Sequence, residues 1–292
     1  MAKRTKRADP IVHGFRLGRN RPVARCPRLS LKNYLMRGLP EPPASQDYSK
    51  PAAQALSQIY LNNQLGDCVI AGMAHVVGVF TGNAGGPAVI YDNNEIISLY
   101  SAIGGYVPGH PNTDHGCDEQ TALNYWQQHG APTPSGAHEI AGWVSINGAD
   151  KSEYRIALWL FENLYFGLEL PNAWINPFPS APGFVWNVAG PAVPTNGHCV
   201  VGVGYTPKGV TICTWGMLGL MTDAAIAKYA TTVGAGELYT VVSQDALERA
   251  TEKAPNGFDW SQLVADFDSM GGNVSPSSLA RRVPKRSGRA RR

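Results

Sequence analysis

Residues 62–80 read Asn62-Asn63-Gln64-Leu65-Gly66-Asp67-Cys68 and then Val-Ile-Ala-Gly-Met-Ala-His-Val-Val-Gly-Val-Phe. A short polar loop runs into a nearly unbroken apolar stretch with small residues interspersed. That composition predicts a helix from Asp67 to Phe80 buried on most sides, because no polar stripe is left for solvent. Cys68 stands at its start, where unpaired backbone N–H groups and the positive end of the helix dipole favour a thiolate. Asp67 is placed to cap the helix through its carboxylate, although its charge would oppose the thiolate. His75, two turns along among apolar residues, reads as a core histidine.

Outward from this helix, further helices are predicted over Asn93–Tyr100 and Gln120–His129, the second ended by Gly130 with Pro132 close behind. Trp143–Ile146 reads as a short strand, Lys151–Phe161 as a helix and Tyr165–Leu170 as a strand. A Pro/Gly-rich loop follows over residues 173–196. His198–Tyr205, Val210–Thr214 and Leu238–Val242 are β-rich runs bounded by Gly or Pro, as in an antiparallel sheet. Ala224–Tyr229 is a short helix and Trp260–Met270 an amphipathic one. Helices come first and sheet second, which points to an α+β fold rather than a βαβ repeat. The reading finds no internal repeat, no Walker loop and no dinucleotide fingerprint.

Two later stretches carry chemistry. Asn196-Gly197-His198-Cys199-Val200-Val201 opens a strand with a histidine, and Thr211-Ile212-Cys213-Thr214-Trp215-Gly216 ends the next strand in Trp-Gly. Between them and the first helix lies Gly116-Cys117-Asp118, followed by Ala122-Leu123 and Gly130. This ordered set resembles the papain-like cysteine peptidases over roughly residues 60–245. The resemblance implies a two-lobe fold, with a helical lobe over about 51–140, a β lobe over about 141–245 and a C-terminal helix near 259–270. It implies hydrolysis of peptide or amide bonds by acyl transfer, with Cys68 as nucleophile and His198 as its base. The oxyanion would meet the Cys68 backbone N–H and a side-chain amide, Asn62 by spacing or Gln64 by residue type. Gly116, Cys117, Glu119, Gln120 and Trp215 fall at substrate-cleft positions, with Trp215 shielding the histidine.

The sequence departs from the family pattern in three places. The position that orients the histidine falls on Cys213, where a thiol is a poor acceptor for an imidazole N–H; Thr214 should face the other side of the strand. Two glycines of the family's cleft wall are Glu119 and Gln120, which would narrow the cleft or favour basic substrate groups. Leu65 stands where a disulfide partner for Cys117 would be, so Cys117 is expected to be a free thiol, as suits a reducing compartment. These departures leave an alternative, a weakly active or inactive papain-like scaffold that binds or assembles through basic tails.

The 292 residues are 43% hydrophobic and 16% charged, with 32 Gly, 22 Pro and five Cys. That excludes a disulfide scaffold, a membrane protein and a wholly disordered chain. The net charge of +3 conceals an asymmetry. Residues 1–25 carry eight Lys or Arg against one Asp, and residues 281–292 carry seven and no acid, whereas residues 26–280 hold ten basic and 21 acidic residues. The N-terminal 50 residues read as an extended arm that docks Phe15, Leu17, Leu29, Leu31, Tyr34 and Leu35 on the body. Residues 273–292 are expected to be a disordered tail. Such tails suit nucleic acid or another acidic surface, including the body of a neighbouring copy. No secretory signal or membrane span is read, so a cytoplasmic place is expected, with virion association as the alternative, since papain-like proteins of bacteria and their phages are similar in outline. No cofactor is implied, and no CxxC or HxxxH spacing supports a metal.

Overall fold

The computed structural model describes residues 11–12, 14–22, 28–133, 136–272 and 274. In chain order the elements are β1 (Ile11–Val12), β2 (Phe15–Arg16), β3 (Gln46–Asp47), α1 (Ala53–Leu56), α2 (Cys68–Asn83), α3 (Asn93–Gly104), α4 (Glu119–His129), β4 (Ala131–Thr133), β5 (Gly136–His138), β6 (Gly142–Ser145), α5 (Lys151–Phe161), β7 (Leu164–Glu169), β8 (Val185–Trp186), β9 (Gly197–Thr206), β10 (Gly209–Thr214), β11 (Met217–Thr222), α6 (Asp223–Tyr229), β12 (Glu237–Val242), α7 (Gln244–Lys253) and α8 (Trp260–Ser269). The main sheet runs β6-β12-β7-β9-β10-β11-β8, with β3 added on β9. Every pairing in it is antiparallel except β11 with β8.

The apolar run after Cys68 becomes α2, buried along nearly its whole length. It packs on β9, the long central strand, which is itself buried from Gly197 to Tyr205. Close approach is possible because Gly72 has no side chain: a Cβ there would lie 2.8 Å from the Tyr165 ring and 3.1 Å from the Cys199 sulfur. α4 begins where the Asp118 side chain accepts from the Thr121 N–H, and it ends at Gly130, whose φ is 71°. The same logic starts α5 at Asp150.

The sequence reading misses β11 and α7. Thr214 pairs with Met217, so β10 and β11 are joined by only Trp215-Gly216, with φ of 50° and 72°. Two positive φ values in a two-residue loop make a type I′ turn. A tryptophan in the left-handed region is strained by about 1–2 kcal/mol, and this turn sets Trp215 over the site described below.

Of the apolar residues named for the N-terminal arm, all six pack on the body. Leu17, Leu31 and Tyr34 are buried, and Phe15, Leu29 and Leu35 pack half-buried against the core. The expected disordered tail lies, apart from Val274, outside the described residues. No helix among those described is long and apolar enough to cross a membrane.

Candidate active site

Cys68 and His198 line one cavity between the start of α2 and the start of β9, together with Asn62, His75, Thr214 and Trp215. Its volume is about 10 Å³, less than or barely equal to the space one water requires. Both side chains are buried, at 2% and 1% exposure.

Burial decides their protonation. It pushes the Cys68 thiol up to about 12, with the nearby backbone N–H groups of Gly18 and Cys199 opposing the rise. It lowers the His198 imidazole to about 3. The pair in this state is therefore a neutral thiol and a neutral imidazole, not an ion pair. Asp67 does not cap α2 through its side chain. It is fully buried, with Oδ1 accepting from Asn62 and Oδ2 unpartnered, and burial raises its carboxyl well above the ordinary value. The neighbouring carboxyls of Glu119 and Asp67 add to the rise of the Cys68 thiol.

The side chain bonded to the His198 ring is Thr214 rather than the expected Cys213. His198 Nε2 lies 2.7 Å from the Thr214 hydroxyl, while Nδ1 is buried with no hydrogen-bond partner. With the proton on Nε2 donated to Thr214 Oγ1, Nδ1 keeps its lone pair, the state a base needs. Cys213 instead donates its thiol to the Leu56 carbonyl at 3.2 Å and has His75 at 4.0 Å. A register shift between Thr211 and Ile212 in the β9–β10 pairing is the physical reason, because a bulge moves the residues that face a given neighbour. His75 is a core residue, its Nε2 3.0 Å from the Gln58 carbonyl and its imidazole lowered by burial to about 4. Trp215 stacks on His198 with centroids 4.4 Å apart and planes at 19°, and Phe178 and Phe15 extend the aromatic cover.

Of the two oxyanion candidates, Asn62 lies at the cavity and Gln64 is exposed. The Asn62 amide is already engaged, donating to the carbonyls of Arg16 and Leu65 and to Asp67. Glu119 and Gln120 do not form an open cleft wall. Because Asp118 caps α4, their side chains turn inward, where the missing Cβ of Gly167 makes room for the Glu119 carboxyl. Gln120 donates to the Tyr239 hydroxyl at 2.7 Å.

The N-terminal arm packs on residues that flank the site, and the sequence reading placed it only in outline. Residues 16–21 run through the cleft as an extended segment. The Arg16 N–H donates to the Asn62 carbonyl (2.9 Å), the Cys117 N–H to the Gly18 carbonyl (3.1 Å), the Asn20 N–H to the Cys117 carbonyl (2.9 Å), and the Arg19 N–H to the Gly197 carbonyl (3.1 Å). Gly116 and Gly18 press together: a Cβ on Gly116 would lie 1.7 Å from the Gly18 carbonyl oxygen. Arginine side chains fasten the segment. Arg16 reaches Asp114 at 3.2 Å, Arg21 reaches Glu169, and Arg19 sits between Glu119 (3.1 Å) and Glu237 (2.6 Å). Arg19, Glu119 and Glu237 are all buried. Burial works against the Arg19 charge, yet the two carboxylates more than offset it and raise the guanidinium above its ordinary value. Burial raises Glu119, with Arg19 opposing the rise and Glu237 adding to it.

The four described free cysteines are Cys68, Cys117, Cys199 and Cys213, all buried. Among the described residues no three His, Cys, Asp or Glu side chains converge as a metal site.

The helices packed on an antiparallel-rich sheet, with Cys68 at the start of α2 and His198 near the start of β9, match the papain-like cysteine protease fold. Solved structures with that fold are similar to this chain. The crystal structure of xylellain, a cysteine protease from Xylella fastidiosa, matches with a TM-score of 0.56 at 14% identity, over 83% of this chain and 98% of that one. Procathepsin L 3 from the larval midgut of Tenebrio molitor matches with a TM-score of 0.53 at 14% identity, over 76% of each chain. Procathepsin L2 from the same source matches with a TM-score of 0.52 at 14% identity, over 79% and 78%. No protein-family model matches the sequence, and no curated protein matches it either.

Proposed function

We propose that the chain is a cysteine peptidase held latent by its own residues 15–21. The observation that carries this reading is that Cys68 and His198 line one cavity, with the His198 Nε2 tied to Thr214 and its Nδ1 buried without a partner. With the arm withdrawn, water and substrate reach the pair, and the desolvation that keeps both neutral is relieved. His198 Nδ1 then takes the Cys68 proton, and the thiolate attacks a peptide carbonyl. The Asn62 amide, freed of the Arg16 carbonyl, donates to the oxyanion beside the Cys68 backbone N–H. His198 returns the proton to the leaving amine, and water hydrolyses the thioester with the same base.

The test uses the full chain on a panel of fluorogenic peptide amides. The wild type is expected to be slow, Arg19→Ala faster, and Arg19→Ala with Cys68→Ala inactive. Hydrolysis that survives loss of Cys68 would overturn the proposal. So would a folded Arg19→Ala chain whose Cys68 alkylates readily yet cleaves no member of the panel; that chain would be a scaffold without catalysis.

A further inference from the structure

The segment that fills the cleft is Arg16-Leu17-Gly18-Arg19-Asn20-Arg21, and residues 286–291 are Arg286-Ser287-Gly288-Arg289-Ala290-Arg291. Both spell Arg-x-Gly-Arg-x-Arg. Each fixed position in the first copy has a structural reason. The first Arg meets Asp114, and the second enters the buried Glu119–Glu237 pair, where it also donates to the Ala235 carbonyl at 3.3 Å. The third meets Glu169. The Gly passes where a Cβ would lie 1.8 Å from the Gly66 carbonyl oxygen, a backbone atom that cannot step aside.

We infer that the cleft recognises Arg-x-Gly-Arg-x-Arg peptides and that the chain's C-terminal residues 286–291 are its second occupant, exchanging with the N-terminal arm. This rests on the reading of the Cys68–His198 cleft as a peptide-binding site.

Reach permits the exchange. The Gln127 amide donates to the Met270 carbonyl, which places the end of the described C-terminal region beside α4. Gln127 stands eight residues after Glu119 on that helix, about 12 Å away. The residues between 274 and 286 can span up to about 40 Å. The variable positions rank the occupants. Leu17 is buried at 2% exposure and Asn20 donates to the His115 carbonyl, whereas the tail offers Ser287 and Ala290 there. The arm is therefore the resting occupant, and the tail enters when the arm is loosened. The acidic sockets left behind also define the substrate class, basic peptides with glycine immediately before a buried arginine.

The test measures fluorescence anisotropy of a labelled synthetic peptide, residues 284–292, on the full chain carrying Arg19→Ala and Cys68→Ser. Saturable binding is expected. A Gly288→Val peptide and a scrambled peptide of the same composition should bind at least tenfold more weakly. Adding Arg289→Ala to the protein's own tail should tighten peptide binding by removing a competitor. Equal binding of all three peptides would overturn the inference, leaving only attraction between a basic peptide and an acidic body. Should the double variant fail to fold by circular dichroism, the wild type is mixed with excess peptide and followed by hydrogen exchange. Faster exchange at the Arg19 and Asn20 amides supports displacement of the arm, and unchanged exchange refutes it. Selective binding without turnover by the Cys68 form would sink the peptidase reading alone. Turnover of unrelated peptides without selective binding would sink this inference alone.

Discussion

Replacing Arg19 by alanine tests the latency argument most directly. Arg19 is the cation between two buried carboxyl groups, at 3.1 Å from Glu119 and 2.6 Å from Glu237. Removing one partner of a buried ion pair costs about 3–5 kcal/mol, because the remaining charge is left without compensation. Here that cost has an outlet. If the arm lifts away, water reaches Glu119 and Glu237, and the penalty is relieved without unfolding the sheet or α2. The loss should therefore appear as local opening, with the open fraction rising by roughly two to three and a half powers of ten. The assay is pulse alkylation of the full chain with iodoacetamide, read at each cysteine by mass spectrometry beside a thermal melt. Cys68 labelling should rise by about 10²-fold or more, since withdrawal of the Gly18 segment relieves the burial that holds its thiol up. Cys213, whose partners Leu56 and His75 belong to the body, is the reference for global opening. Unchanged Cys68 labelling in a folded variant would refute the reasoning, as would a rise matched by Cys213. Arg19→Lys should fall between wild type and alanine, because an ammonium keeps the charge but cannot reach both acids as a guanidinium fork does.

In the Arg19→Ala background, Thr214→Val should lower kcat by about 10²-fold with KM little changed, and Thr214→Ser should restore it; Cys213→Ser should leave both constants near their starting values. Equal effects at 213 and 214 would show that His198 is not oriented through Thr214. Asn62→Ala should cost about 10²- to 10³-fold in kcat, whereas Gln64→Ala at the exposed position should cost nothing measurable. The pH dependence of stability has a definite sign. The folded-state values of His75 and His198 lie below the ordinary 6.5, at about 4 and about 3, so the unfolded chain binds protons first as pH falls. Their contribution to stability is complete above pH 6.5 and is lost on acidification toward pH 4 and 3. The raised carboxyls of Asp67 and Glu119 act in the opposite sense, so the measurement is a difference. Melting temperatures of wild type and His75→Gln should converge as pH falls from 7 to 4, and parallel curves would contradict the assigned shift.

The helix bearing Cys68 and the strand bearing His198 were legible because each is buried on nearly all sides and so reads as a continuous apolar run. β11 was not, since Trp215-Gly216 is no ordinary turn pair; the tryptophan holds φ of 50° only because tertiary packing fixes it over His198. The choice of Cys213 over Thr214 failed for a related reason. Counting along a strand assumes an unbroken alternation, and the irregularity at Thr211/Ile212 is invisible without the partner strand. Glu119 and Gln120 were assigned to an open wall because nothing in the local sequence announces the arginine that covers them from 100 positions away. The arm's arginines read as a basic tail suited to nucleic acid or another acidic surface for the same reason. The hexapeptide repeat passed unnoticed because three arginines within two arginine-rich termini carry little information until the structure shows what each one, and the glycine, does.

The arm and the reactive state of the site exclude one another thermodynamically. The docked arm lies beside a cavity of about 10 Å³ lined by Cys68 and His198, where burial keeps the thiol up at about 12 and the imidazole down at about 3. A thiolate–imidazolium pair in the same space would be two charges with no water and an imidazolium N–H whose acceptor must be the thiolate itself. Whatever favours that pair must therefore disfavour the docked arm, and by linkage whatever stabilises the docked arm must hold the pair neutral. On the latency we propose, the same Arg19–Glu119–Glu237 cluster that fastens the arm would bias the protonation of Cys68 and His198. A variant that tightens the cluster should deepen latency without altering any group that carries the chemistry.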